Sequence, residues 1–147
     1  MIHTRKLPKD LKLILPELSE GQQLASDEML WLLRNAMPVL KGAEYKVLMV
    51  VFCSTYDMGR KTCLLSLKDF VWGYNDERGW HNGTGLTKST VLRAAQALVA
   101  DGLVRRTQEA GCAYEYRIVP SEFVAACARR AGAKVPVRKR RRRPKPE

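Results

Sequence analysis

The sequence predicts a mainly α-helical domain with a small β-hairpin, and three observations carry that prediction. Residues 85–106 read as a turn, a capped helix, a glycine stop and a strand ending in paired arginines. Several earlier segments place apolar residues at helical spacing behind hydroxyl or acidic start signals. Two strand-like runs, residues 103–108 and 113–119, flank Glu109-Ala110-Gly111-Cys112, and glycine in so short a connector signals a hairpin. At 147 residues the chain suits one domain with extensions, long enough to bury a core.

The elements follow in order. Residues 1–25 form an amino-terminal arm, interrupted by Pro8 and Pro16, in which Leu11, Leu13 and Leu15 alternate with Lys12 and Ile14 without settling a period. A docked arm and a free one both fit this pattern. Ser26, followed by Asp27 and Glu28, starts a helix with acids at the positive end of its dipole. That helix runs through Met29, Leu30, Leu32 and Leu33 and stops near Pro38. A second helix begins at Gly42-Ala43-Glu44 and is apolar nearly all round over residues 47–53, which marks it as the central helix. Asp57-Met58-Gly59-Arg60-Lys61 is a polar turn, residues 62–65 a short strand, and Ser66 caps a third helix with Leu67, Phe70 and Val71 inward.

Between Trp72 and Thr87, Gly73, Gly79, Gly83 and Gly85 mingle with Asn75, Asp76, Glu77 and Asn82, a composition that means loop. Arg78, His81 and Asn82 are the candidates there for touching phosphates; the alternative is an exposed loop touching nothing. Thr87 then caps a fourth helix over residues 88–100, whose inner face holds Val91, Ala94, Ala95 and Leu98, and Gly102 ends it. In the second strand of the hairpin, Tyr114, Tyr116 and Ile118 fall on one face and Glu115 and Arg117 on the other. A last helix, capped by Ser121, carries Phe123, Val124 and Cys127 to about residue 131.

The net charge of +11 is unevenly distributed. Residues 129–147 hold 10 Lys/Arg and one acid, whereas residues 1–128 hold 16 Lys/Arg and 14 acids. The globular part is nearly balanced, and the basicity belongs to a tail over residues 132–147. Its unbroken run of Arg138, Lys139, Arg140, Arg141, Arg142 and Arg143 repels itself and buries nothing, so the tail is expected to be disordered when free and to act as a nonspecific anchor on nucleic acid. Cys53, Cys63, Cys112 and Cys127 are scattered without a Cys-x-x-Cys pair, and His3 and His81 lack an obvious partner. No metal, no cofactor and no enzymatic activity are therefore expected. Arg5 and Lys6 are followed by Pro8 and Asp10 rather than by the apolar run of a signal peptide. The longest apolar run falls far short of the ~20 residues that cross a bilayer, so the expected location is cytoplasmic and nucleoid-associated, away from membranes.

Helix, helix, strand, helix, helix, hairpin is the order of a winged helix-turn-helix with an extra amino-terminal helix. On that reading the domain spans residues 26–120, followed by the helix of residues 121–131 and the tail. The fourth helix enters the DNA major groove and offers Thr87, Lys88, Ser89, Thr90, Arg93 and Gln96, the side-chain types that reach phosphates and base edges. Arg105, Arg106 and Arg117 supply the wing's contacts to the sugar-phosphate backbone. Tyr45, Trp72 and Trp80 are read as packing or loop anchors rather than base-stacking groups.

The chain also resembles a family, the amino-terminal domain of phage replication protein O, over about residues 26–107. The resemblance rests on Leu40-Lys41-Gly42-Ala43-Glu44-Tyr45-Lys46-Val47-Leu48 and on Ser54-Thr55-Tyr56-Asp57-Met58-Gly59-Arg60-Lys61. It continues through Leu65-Ser66-Leu67-Lys68-Asp69-Phe70 and Thr84-Gly85-Leu86-Thr87-Lys88-Ser89-Thr90-Val91. It implies binding to repeated sites in a replication origin and recruitment of helicase-loading machinery. The expected function is sequence-specific binding of double-stranded DNA by a protein of a phage, plasmid or integrated element, at an origin. The alternatives are a transcriptional regulator and a winged-helix adaptor whose nucleic-acid affinity lies only in the tail. The expected partners are duplex DNA, replication machinery and a second copy of the chain, although no dimer seam is visible.

Overall fold

The computed structural model describes residues 13–108, 111 and 113–132, so the basic tail and the first part of the arm lie outside the described residues. The chain builds helices α1 (Ser26–Asn35) and α2 (Gly42–Ser54), strand β1 (Cys63–Ser66) and helix α3 (Leu67–Trp72). A hairpin of β2 (Gly73–Asp76) and β3 (Gly79–Asn82) follows, then α4 (Lys88–Asp101), β4 (Arg105–Gln108), β5 (Ala113–Arg117) and α5 (Pro120–Gly132). Short 3-10 turns at Met37–Val39 and Tyr56–Met58 bracket α2.

This is a mixed helical and β architecture, richer in strand than the one short strand and one hairpin expected. The strand before α3 does not stand alone: β1 pairs antiparallel with β5, and β5 with β4, giving a three-stranded sheet in the order β1-β5-β4. Cys63 lies opposite Tyr116, which in turn lies opposite Arg106. Of the face expected to be inward in β5, Tyr116 and Ile118 are buried, whereas Tyr114 is half-buried like Glu115 and Arg117; Glu115 pairs with Leu64 on one side and Thr107 on the other.

Residues expected to form a loop make the second sheet, β2 paired with β3. The glycines and amides that signalled loop are what this hairpin requires. Gly73 sits at φ +107, and a Cβ there would lie 2.2 Å from the His81 carbonyl oxygen. A Cβ on Gly83 would lie 2.6 Å from the Gly73 nitrogen, so the two ends of the hairpin approach as only glycines allow. Beyond the hairpin the chain returns to where it left α3: Thr84 N–H donates to the Phe70 carbonyl at 2.7 Å and Gly85 N–H to the Val71 carbonyl at 3.1 Å. The hairpin is thus an excursion from an otherwise short connection between α3 and α4.

One core joins every layer. Met29, Leu32 and Leu33 of α1, Val47, Leu48, Val51 and Phe52 of α2, Phe70 of α3, and Val91, Ala94, Ala95 and Leu98 of α4 are all buried in it. Each large apolar side chain so buried is worth about 1.5–3 kcal/mol relative to exposure. Leu13, Leu15 and Leu24 pack against this core, so the described part of the arm is docked. Phe123, Ala126 and Cys127 of α5 belong to the same core, and the expected boundary after residue 120 is not a domain boundary.

The first helix starts at Ser26 with Asp27 and Glu28 in its first turn, as expected, and the Glu28 carboxylate accepts the Ala25 N–H at 2.7 Å; one cap differs from expectation. Ser121 lies inside α5, which begins at Pro120, a residue pre-set for a first helical position. Ser66 caps α3 as expected, accepting from Asp69 N–H at 3.3 Å.

The carboxy-terminal helix is fastened by charge. Arg130 donates to Glu44 Oε1 at 2.6 Å, to Glu44 Oε2 at 3.0 Å, to Asp101 Oδ2 at 2.8 Å and to the Val39 carbonyl at 2.9 Å. Arg129 donates to the Asp101 carbonyl at 2.7 Å, which places cations at the negative end of α4. Burial works to raise the Glu44 carboxyl, but the Arg130 hydrogen bond, the Lys41 N–H and both cations outweigh it and hold it below the usual carboxylate range. Two of the cations counted with the basic carboxy-terminal segment are therefore structural.

Candidate nucleic-acid interface

The site is the solvent face of α4 with the elements beside its amino-terminal end. Thr87 Oγ1 accepts the Thr90 N–H at 3.3 Å and donates to Thr90 Oγ1 at 2.8 Å, so both hydroxyls are engaged in the helix start. Val91, Ala94, Ala95 and Leu98 seat the helix in the core. The same periodicity turns Lys88, Ser89, Arg93 and Gln96 to solvent. Of the six residues expected on this helix, Lys88, Arg93 and Gln96 are exposed and available to an external partner, Ser89 is exposed with its Oγ 3.4 Å from Thr87 Oγ1, and Thr87 and Thr90 are committed to the cap. Leu92, 45% exposed, borders the same stripe and was missed from the sequence because an isolated leucine counts as core. An apolar side chain there suits the methyl group of thymine.

The wing arginines do not form one patch. Arg105 and Arg117 lie opposite one another across β4 and β5, whereas Arg106 pairs with Tyr116 on the other face of the sheet. Arg105 is ion-paired with Glu122 of α5, its Nε 2.9 Å from Oε1. Arg106 lies over the Tyr114 ring, 4.4 Å from its centroid. Arg117 Nε is buried without a hydrogen-bond partner among the described residues. Arg117 lines a concavity of about 270 Å³ with Arg60, Lys61 and Tyr56. Arg105 and Arg106 thus have work inside the fold, which the periodicity of their own strand could not reveal because the partners come from other elements. Cys112, Glu109 and Ala110 of the connector, and Arg138, Lys139, Arg140, Arg141, Arg142 and Arg143, lie outside the described residues.

The hairpin residues also separate. His81 stacks on Tyr74 with ring centroids 4.9 Å apart, and its Nε2 is 2.9 Å from Asp76 Oδ1. Tyr74 in turn shares a 2.6 Å hydrogen bond with Ser54 of α2. His81 is therefore turned toward α2, where it fastens the hairpin, and not outward toward a phosphate. Burial tends to raise the Asp76 carboxyl, but the Arg78 N–H, the His81 hydrogen bond and the charges of His81 and Arg60 together hold it below its ordinary range. Arg78 is exposed, with Nη1 3.4 Å from the Asp57 carbonyl. Asn82 is exposed and accepts from Trp80 Nε1 at 2.8 Å.

Tyr45 packs against the core as expected, whereas Trp72 and Trp80 are 68% and 59% exposed and lie outside it. Among the described residues no group of three or more His, Cys, Asp or Glu side chains is arranged to hold a metal ion. Cys63 and Cys127 are buried, and burial pushes each thiol up to about 12, far from the thiolate that reacts or ligates at neutral pH. No described helix is long and apolar enough to cross a membrane. No family model matches the chain, nor does any curated protein or solved structure.

Proposed function

We propose that this chain is a winged helix-turn-helix protein that binds double-stranded DNA in a sequence-specific manner, with α4 as the recognition helix. The observation that carries the reading is the exposed stripe Lys88, Ser89, Leu92, Arg93 and Gln96 on a helix whose opposite face is locked in the core. A helix held by its buried face, with exposed polar groups toward its amino-terminal end, is the arrangement that major-groove readers use. The order α2, β1, α3, α4, β4, β5 supports the winged assignment, with α1 as the extra leading helix. Resemblance to the replication protein O amino-terminal domain favours origin binding in replication initiation over an operator-binding regulator.

Arg93 is the reader of guanine on this proposal, because its fork can pair bidentately with O6 and N7, worth about 1–3 kcal/mol of discrimination. The test is a binding-site selection with the full chain and with Arg93→Ala. The expected result is a defined site for the parent and loss of preference at one base pair in the variant. An unchanged consensus would sink the assignment of Arg93, and the absence of any consensus would leave the adaptor reading in its place.

A further inference from the structure

The β2–β3 hairpin has two faces of different chemistry. In the observed register Tyr74 pairs with His81, and this face docks on α2 through Ser54. The other face presents Trp80 directly opposite Asn75, with Asn82 opposite Gly73. Trp80, Asn75 and Asn82 are all exposed. The Trp80 ring runs close over Gly73, since a Cβ on that glycine would lie 2.9 Å from the ring carbon Cζ2. Trp72, the residue before Gly73, is still more exposed, and its backbone lies where the chain returns from the hairpin, since a Cβ on Gly83 would fall 2.8 Å from the Trp72 carbonyl carbon. The Trp80 N–H is already satisfied by Asn82, and the residue remains 59% exposed.

We propose that this face is a stacking platform for unpaired nucleobases of single-stranded DNA. Flat aromatic surfaces stack any base, and neighbouring amides hydrogen-bond base edges. A purely apolar partner would meet isolated indoles set among amides, with no continuous hydrophobic patch. The surrounding charge agrees with a polyanion. Over residues 66–93 the three acids are engaged within the protein: Asp69 in the α3 cap, Asp76 with His81, and Glu77 with Arg60. Lys68, Lys88 and Arg93 have no acidic partner among the described residues. The platform deepens the DNA-binding reading by adding a second contact for a locally opened strand, yet it rests on its own side chains and can be tested apart from α4.

The experiment uses the full chain carrying Trp31→Phe, so that Trp72 and Trp80 alone report. Its probes are an oligodeoxythymidylate of about 20 nucleotides, a fully paired duplex, and inorganic polyphosphate as a charge without bases. The expected result is fluorescence quenching by the single strand and none by polyphosphate. Trp72→Ala and Trp80→Ala, at exposed positions, should each weaken single-strand binding about 5- to 100-fold while leaving duplex affinity within about twofold. Trp80→Phe, which keeps a ring, should recover part of the loss. Equal quenching by polyphosphate, or single-strand affinity unchanged in both alanine variants, overturns the platform. Retained quenching together with loss of duplex selectivity would remove the major-groove reading and leave the platform standing.

Discussion

Replacing Arg130 with methionine strips three elements of their shared partner. Glu44, whose side chain is 3% exposed, would keep its charge without a counterion, and the Val39 carbonyl would lose its donor. Breaking a buried pair from one side costs about 3–5 kcal/mol, because the remaining charge is stranded in a poorly solvated site. The Asp101 contact contributes little, since that carboxylate is 46% exposed and screened by water. Against a total stability of about 5–15 kcal/mol for such a domain, the loss is large, and at about 4 °C per kcal/mol the melting temperature should fall by about 12–20 °C. The assay is urea and thermal unfolding of the full chain at neutral pH, followed by circular dichroism. Glu44→Gln in the Arg130→Met background should recover much of the loss by removing the stranded charge. The parent carries a matching pH signature. Because the folded Glu44 carboxyl lies below its unfolded value, its stabilisation is fully present above about pH 4.3 and is lost as pH falls through the folded value. Arg130→Met should lose that acid-side dependence. A penalty below about 1 kcal/mol, the range of surface substitutions, would refute the argument that this network fastens α5 to α2 and α4.

Two further outcomes follow from the geometry. Gly73→Ala forces a Cβ to within 2.2 Å of the His81 carbonyl at a positive φ. It should destabilise the hairpin by at least the ~1–3 kcal/mol of backbone strain, read as faster amide exchange in residues 73–82; unchanged exchange would mean that the hairpin base is not so close. Ending the chain after Gly132 keeps Arg129 and Arg130 in place but removes Lys134, Lys145 and the run from Arg138 to Arg143. The slope of log affinity against log salt should become shallower by up to about 7, at ~0.9 per phosphate neutralised, while sequence preference persists; a lost preference would move recognition into the tail.

The helical plan of this domain was legible along the chain because it rests on local chemistry. Thr87, Ser66 and Gly102 act on neighbours within one turn, and the spacing of Val91, Ala94, Ala95 and Leu98 expresses a 3.6-residue period that burial then enforces. The exposed stripe of α4 follows from the same period, so Lys88, Ser89, Arg93 and Gln96 could be placed outward before any contact was known. Tertiary structure decided everything that depends on a partner distant in sequence. Residues 73–82 carry the glycine and asparagine composition of a loop and become a hairpin because Gly73 and Gly83 let two backbones meet and Ser54 of α2 receives Tyr74. Arg105 and Arg130 look equally cationic in sequence. One meets Glu122 at the surface and the other a buried Glu44, an acid lying 86 positions earlier in the chain. The exposure of Trp72 and Trp80 was decided in the same way. Periodicity records which face of an element is apolar, but only packing determines which apolar faces find something to cover them, and in this fold the indoles of Trp72 and Trp80 are left exposed.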